Sequence, residues 1–193
     1  MYEPNTLLDK ATELFWQKGY QATSMRDIQQ ALDLRPGSLY SRFQGKSELF
    51  EKVIVHYAEQ ILARLEQTAQ SEDGFEATRD MFRQELIKPA ELRYQRQCLL
   101  LNALAQSSKL EDRAAQALEH AMAKMLQGFI GLAAALQEKS LISGEVAPAQ
   151  VGQWLQIQFV GLRNAAYFAN DDEQVMYFID KLIIDLQSEW PAS

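Results

Sequence analysis

The sequence has few of the residues that enzymes and metal proteins commonly use. Its 193 residues include one cysteine, Cys98, and two histidines, His56 and His120. The histidines fall on different predicted helices, and neither belongs to a metal-ligand spacing such as HxxxH or CxxC. We therefore expect no metal, no cofactor and no catalysis. A lone cysteine also excludes an internal disulfide, which is typical of a reducing compartment.

Long apolar runs and export signals are also missing. The longest apolar run, residues 122–136, is interrupted by Lys124, Gln127 and glycines, and it is too short to span a bilayer. Residues 1–10 lack the positive charge and apolar stretch of a signal peptide. We expect a cytoplasmic protein that does not cross a membrane.

The chain lacks an overall positive charge, since its net charge is −7. The charge is unevenly distributed, however. Residues 1–46 contain six basic and five acidic residues, which gives a net charge of +1, and the remainder carries −8. A near-neutral N-terminal segment on an acidic body is compatible with nucleic-acid binding if its positive side chains are grouped.

No stretch alternates apolar and polar residues as a strand does, and apolar residues recur instead at helical spacing. We predict an all-α fold of about nine helices. Capping patterns start the first helix at Thr6, the second at Ser24 and the seventh at Ser108. Asp73 precedes the fifth helix, and Pro148 starts the eighth. A sixth helix is predicted to begin at Pro89 and to include residues 98–104.

Residues 23–46 read as two short helices joined by a tight turn. Ser24 and Asp27 have capping-box spacing, and Asp33 tolerates the left-handed backbone that the turn needs. Pro36 fits the first position of the next helix, where its missing N–H costs nothing. Leu39 and Phe43 give that helix one inward edge and leave its other sides polar. Such a helix has the size and chemistry to lie in a DNA groove.

Three pieces of this region, GYQATSMRDI at residues 19–28, LRPGSLY at residues 34–40, and then Phe43 and Lys46, resemble the N-terminal helix-turn-helix of the TetR family of transcriptional regulators. The resemblance covers about 45 residues. It implies a DNA-binding domain at residues 1–46 and a helical effector-binding and dimerisation domain at residues 47–193. It also implies a regulator, most often a repressor, that binds a palindromic operator as a homodimer and is released by a small effector.

The predicted DNA contacts combine cations, short hydroxyls and a tyrosine at the second helix and its borders. They are Thr23, Ser24, Arg35, Pro36, Gly37, Ser38, Tyr40, Ser41, Arg42 and Lys46. The resemblance favours a phosphate contact for Tyr40.

The resemblance also implies an effector pocket in the body. Methionine and aromatic side chains together form adaptable apolar cavities, although the same residues also build ordinary cores. The candidate lining residues are Tyr57, Met81, Phe82, Cys98, Asn102, Met122, Met125, Phe129, Trp154 and Phe159. Arg163 and Asn164 lie in an otherwise apolar helix, where an interface ion pair or a solvated position competes with a ligand contact.

The last two predicted helices carry apolar residues on more than one face. One face packs on the chain's own core, and a second copy of the chain is the simplest cover for the other. The predicted interface consists of Val151, Leu155, Phe159, Leu162, Phe168, Val175, Phe178, Ile179, Leu182 and Leu186.

Two alternatives remain open. Cys98 is either a small buried hydrophobe or a sensor of oxidants or electrophiles. The whole chain is either a DNA-binding regulator or a helical module that binds a ligand or a protein and no longer binds DNA. Loss of DNA affinity on substitution of Arg35 and Tyr40 discriminates between the last two.

Overall fold

The computed structural model describes residues 4–188 and residue 190, and these form nine α-helices and two 3₁₀ helices without a strand. The all-α prediction is confirmed. The α-helices are α1 (Pro4–Ala22), α2 (Met25–Leu32), α3 (Pro36–Arg42), α4 (Lys46–Gln70), α5 (Gly74–Leu86), α6 (Leu99–Leu104), α7 (Asp112–Glu138), α8 (Pro148–Phe168) and α9 (Asp172–Gln187). The 3₁₀ helices span Ala90–Arg96 and Ser107–Lys109.

The chain divides into two compact units. Unit 1 comprises residues 1–60 and 99–123, and unit 2 comprises residues 61–98 and 124–193. The long helices α4 and α7 each contribute residues to both units. Unit 1 thus includes α6 and the first part of α7 besides the N-terminal helices, and the domain boundary at residue 46 stays a prediction.

Two of the capping patterns act as predicted. The Ser24 hydroxyl accepts a hydrogen bond from the Asp27 amide, and the Asp27 carboxylate accepts one from the Ser24 amide, so the capping box of α2 is complete. Asp73 caps α5 by accepting from the Glu76 amide. Each cap binds a backbone donor that the helix itself leaves unpaired.

Three helix boundaries differ from the predictions. α7 begins at Asp112, so Ser108 lies in the second 3₁₀ helix instead of capping α7. α1 already begins at Pro4, so Thr6 lies inside the helix instead of capping it. The predicted sixth helix is split, since residues 90–96 form a 3₁₀ helix and α6 starts only at Leu99. Gln97, between them, has an extended backbone. The apolar pattern of residues 98–104 did identify a buried helix, because Leu99, Leu100 and Ala103 are all buried.

Unit 1 is held together by an aromatic core. The Phe15 ring centroid lies 4.8 Å from that of Phe50, and the Tyr20 centroid lies 4.7 Å from that of Phe50. Gly19 interrupts the helical backbone of α1 with φ 75° and ψ 162°, a conformation that L side chains rarely adopt. The break allows the chain to turn from α1 towards α2.

Unit 2 is built from closely packed helices. A Cβ atom added at Gly152 of α8 would lie 2.6 Å from the backbone N and Cα of Ile130 in α7. The ring of Phe159 lies 5.5 Å from that of Phe82 and 5.4 Å from that of Phe129. The close approach of α7 and α8 and this aromatic cluster define the core of the unit.

Within the described part of the chain, no helix is long and apolar enough to cross a membrane.

Candidate functional site

α2 and α3 are joined by a turn that Asp33 makes possible. Asp33 has a left-handed backbone (φ 51°, ψ 45°), and the next amide, that of Leu34, donates to the Gln29 carbonyl at 3.1 Å. This pairing is typical of a Schellman-type helix end. The turn is followed at once by Pro36, the first residue of α3. Two short helices at a fixed turn are the defining geometry of a helix-turn-helix.

α3 buries one edge and exposes the rest. Leu39 is fully buried and Phe43, just after the helix, is 8% exposed, whereas Tyr40 is 55% exposed. Seven of the predicted DNA contacts are exposed on or beside α3, namely Arg35, Pro36, Gly37, Ser38, Tyr40, Ser41 and Arg42. The structure therefore brings these residues together on one short, solvent-facing element.

The arginines of this element are available for binding. Neither Arg35 nor Arg42 makes a hydrogen bond or an ion pair with the residues that the structure describes. Arg35 precedes α3 without capping it through its side chain. Exposed guanidinium groups without partners can neutralise phosphate or pair with guanine at little desolvation cost.

Thr23 and Lys46 have internal roles instead. Thr23 is 1% exposed, and its hydroxyl donates to the Gly19 carbonyl at 2.7 Å. The Lys46 ammonium donates to the carbonyls of Tyr20 and Thr23 at 3.0 and 3.1 Å and lies 4.3 Å from the centroid of the Tyr20 ring. Lys46 thereby fixes the end of α1 against the start of α4, and the Thr23 hydroxyl binds the last turn of α1. This placement argues against the DNA contacts predicted for Thr23 and Lys46.

The start of α2 is also fixed by charge. Lys18 donates to the Asp27 carboxylate at 2.6 Å, and the Ser24 amide donates to the same group. The hydrogen bond from Lys18, followed by those from Ser24, holds the pKa of Asp27 well below its usual range. Ser24 is exposed, so it remains a candidate DNA contact besides its capping role.

Arg26 is a candidate that the sequence interpretation did not include. It lies in the first turn of α2, two residues after Ser24, and it is exposed without a hydrogen bond or an ion pair to the described residues. The sequence signal that could have identified Arg26 is its position in the capping motif, two residues after the predicted contact Ser24.

The predicted effector residues do not form one group. Tyr57, Asn102 and Met122 belong to unit 1, and the other seven belong to unit 2. The Phe159 ring contacts those of Phe82 and Phe129 in the core of unit 2. Met81 lines a cavity of about 250 Å³ between α4 and α5, together with Arg64 and Asp80. Cys98 is buried.

The predicted dimer residues divide into core and surface. Seven are buried within the chain and are therefore unavailable to a partner, which corrects the prediction for Val151, Leu155, Phe159, Val175, Ile179, Leu182 and Leu186. Phe168 is 68% exposed and Phe178 is 41% exposed, and both line a groove with the half-buried Leu162. Three further large apolar side chains of α8 and α9 are exposed, namely Ile157, Tyr177 and Ile184.

Arg163 is the main residue whose placement was not anticipated. Its guanidinium is fully buried and donates to Glu85 at 2.7 Å and to the Gln97 carbonyl at 2.9 Å. Glu85, itself 2% exposed, also pairs with Arg64. Arg163 is therefore neither at an interface nor solvated, whereas its neighbour Asn164 is exposed. No sequence signal other than an arginine in an apolar helix pointed to this buried pair.

The class of protein follows from these features: a helix-turn-helix followed by an all-helical body. The sequence model of the family described as bacterial regulatory proteins, tetR family, matches residues 7–53. The HTH-type transcriptional repressor ComR of Escherichia coli K12 is 38% identical over 66 residues, which are 34% of this chain and 31% of that protein. The matched region thus spans about a third of the length of this curated relative.

Solved structures extend the likeness to the whole fold. A TetR-family regulator from Agrobacterium tumefaciens is similar with a TM-score of 0.79 and 15% identity over 96% of this chain and all of that chain. A regulatory protein TetR from Rhodobacter sphaeroides gives a TM-score of 0.77 and 20% identity over 93% of this chain and 96% of that chain. The family match is thus limited to residues 7–53, and beyond them the solved structures show a shared fold.

Proposed function

We propose that this chain is a ligand-responsive transcriptional regulator, a cytoplasmic repressor that binds operator DNA through α3. The observation that carries the proposal is the row of exposed polar side chains on α3, with Arg35 and Arg42 free of partners among the described residues. The family match over residues 7–53 supports it, because the family and the curated relative ComR are transcriptional regulators.

The proposal gives the exposed residues different tasks. α3 lies in the major groove with its N-terminal side chains at base edges, as the second helix of a helix-turn-helix does. Arg35 reaches a guanine or a phosphate, and Ser38 and Ser41 offer short hydroxyls. The Ser41 hydroxyl donates to the Ser38 carbonyl at 3.0 Å in the free protein, and this exposed bond is easily exchanged for a DNA acceptor. Tyr40 and Arg42 bind phosphate oxygens.

Selection of bound fragments from genomic DNA tests the proposal directly. A bound fragment then serves to compare the wild type with Arg35→Ala and Tyr40→Phe by fluorescence anisotropy. Arg83→Ala is the matched control, because Arg83 is an exposed arginine of α5. We expect loss of affinity in the α3 variants only. Equal affinity of all variants would favour a helical module that no longer binds DNA.

We also propose that the chain acts as a homodimer, paired through the exposed apolar residues of α8 and α9. Ile157, Phe168, Tyr177, Phe178 and Ile184 are each at least 41% exposed, although they are large and apolar. Apolar side chains grouped on two adjacent helices favour burial against a second copy. Two copies present two α3 helices to a two-fold operator, with half-sites about one helical turn apart.

Sedimentation analysis of Phe168→Arg tests this interface, with Leu104→Arg as the control. Leu104 is an exposed leucine, 47% accessible, at the end of α6 in unit 1. We expect Phe168→Arg to sediment as a monomer and Leu104→Arg to remain a dimer. A dimer in both variants would place the interface elsewhere.

A further inference from the structure

Unit 2 contains a partly buried cluster with more positive than negative charge. Arg64 and Arg163 both pair with the carboxylate of Glu85. Lys88, two residues after α5, adds a third cation to this group, because its charge interacts with those of both arginines. Lys88 thus lies within electrostatic range of two arginines that share one carboxylate.

The Lys88 ammonium differs from other lysines that are tied to the protein. Lys46 donates to two backbone carbonyls, and Lys139 donates to those of Ala69 and Ser71. No hydrogen bond or ion pair joins the half-buried Lys88 side chain to any residue that the structure describes. Burial first, and then the charges of Arg64 and Arg163, lower the pKa of Lys88 to about 8. A cation in such surroundings favours a bound anion.

Lys88 also lines a cavity of suitable size. The cavity, of about 520 Å³, lies between the end of α5, the first 3₁₀ helix and the turn from α8 to α9. Pockets for small molecules commonly have about 300–1,000 Å³. Its lining combines the cations Lys88 and Arg93 with apolar Ile87, Pro89 and Ala90.

The other charged residues that line the cavity restrict the class of anion that it can bind. Arg96, which also lines the cavity, is already paired with Asp172 at 2.8 Å. Arg93 donates to the carbonyls of Tyr167 and Ala169, which are neutral groups, so its charge stays uncompensated by them. Asp171 and Asp172 also line the cavity, and they repel a dianion such as phosphate more strongly than a monoanion. The apolar lining residues favour a ligand with a hydrocarbon part.

We propose that the effector of this regulator is a small organic monocarboxylate, bound in this cavity with its carboxylate on Lys88. The assignment as effector rests on the proposed regulatory function, whereas the binding itself does not. The two are therefore measured separately, the binding without DNA.

Thermal unfolding of the purified full chain at constant ionic strength tests the binding. The probes are benzoate and hexanoate, with benzamide as a neutral molecule of similar shape to benzoate. A ligand that binds only the folded state raises Tm, and the rise grows with the ratio of the free ligand concentration to Kd. We expect both carboxylates, but not benzamide, to raise the Tm of the wild type and of the control Lys124→Met, an exposed lysine of α7. Lys88→Met abolishes the shift.

Two results would overturn the site. One is a rise in Tm on adding a carboxylate that is as large in Lys88→Met as in the wild type. The other is no rise in Tm with either carboxylate. A second readout is the ¹³Cε resonance of Lys88, whose pH titration moves to higher pH when a carboxylate is bound. The charged groups around Lys88 are Arg64, Glu85, Arg93, Arg96, Arg163, Asp171 and Asp172. Since ordinary arginines and carboxylates do not titrate near pH 8, binding that weakens as pH rises through 8 reports on Lys88.

Operator affinity, measured with and without the bound carboxylate, tests the assignment as effector. We expect a loss of affinity in the wild type and none in Lys88→Met. A carboxylate that binds at Lys88 and leaves operator affinity unchanged overturns the effector assignment. Failure of the protein to bind any DNA would instead contradict the proposed function, and the unfolding experiment would still decide the site.

Discussion

The arginines of α3 and the arginines around Glu85 have the same side chain in opposite surroundings. Arg35 and Arg42 are exposed and have no partner among the described residues, whereas Arg163 is fully buried and bound to Glu85 and two backbone carbonyls. An exposed guanidinium remains available to a ligand and contributes little to stability. A buried guanidinium costs free energy to desolvate, and its removal destabilises the fold because its buried partners lose their hydrogen-bond donor. The two regions therefore respond differently to substitution.

Among the substitutions that test this difference, we expect Arg163→Met to change the free energy of unfolding most. The substitution leaves the carbonyls of Gln95 and Gln97 without the Arg163 donor, and the buried Glu85 keeps only Arg64. We expect a loss of about 3–5 kcal/mol in the free energy of unfolding, measured by urea denaturation. Asn164→Met, on the exposed side of the same helix, is the control and changes stability by less than about 0.5 kcal/mol. Equal stability of the two variants would show that the buried pair is not needed.

Gly152→Ala tests the packing of α8 against α7 in unit 2. The new methyl group would lie 2.6 Å from the backbone of Ile130, and backbone cannot move aside as a flexible side chain does. We expect a loss of about 1–3 kcal/mol in thermal unfolding, as for overpacked cores. Gly131→Ala in α7 meets nothing within 4 Å and gains up to about 1 kcal/mol from helix propensity. A stabilised Gly152→Ala variant would contradict the close approach of α7 and α8.

Lys46→Met tests whether the Lys46 cation stabilises unit 1 or is available to bind DNA. The variant loses two hydrogen bonds from a charged donor and the contact with the Tyr20 ring. We expect a loss of about 1–2 kcal/mol in the free energy of unfolding. The control is Lys52→Met, whose ammonium is 3.6 Å from Glu48 on the surface of α4 and contributes little. If both variants were equally stable, Lys46 would be free to bind phosphate.

Lys88→Met gives the smallest expected change in stability, and we expect it to stabilise the protein. The folded state holds the pKa of Lys88 at about 8, against 10.5 for an ordinary lysine. Below pH 8 the folded protein carries an unfavourable charge, so the variant is more stable, with a Tm higher by about 1–3 °C. Between pH 8 and 10.5 the folded protein loses this proton more readily than the unfolded chain, so the advantage of the variant shrinks as pH rises. A difference in Tm that does not depend on pH would contradict this account.

The local features of the helix-turn-helix could be predicted because they depend on neighbouring residues. Ser24 with Asp27, the left-handed Asp33 and Pro36 at the start of α3 all lie within one or two turns of the groups that they satisfy. The inward edge of Leu39 and Phe43 follows from their spacing of four residues.

Features that join distant parts of the chain could not be predicted in the same way. Lys46 binds a carbonyl 26 residues away, and Arg163 binds a carboxylate 78 residues away. The apolar pattern of α8 and α9 correctly showed more apolar surface than one face needs. It did not show which face packs on the chain's own core, because the direction in which a helix packs depends on the helices around it.

The salt dependence of operator binding tests the central claim most directly. Each phosphate contact by a cation contributes about −0.9 to the slope of log K against log salt. If Arg35 and Arg42 of two subunits bind phosphate, the double variant Arg35→Ala/Arg42→Ala has a slope smaller in magnitude by about 4. Lys46→Met, measured where it is folded, keeps the wild-type slope. A slope that is unchanged in the double variant, or reduced in Lys46→Met, would contradict the account.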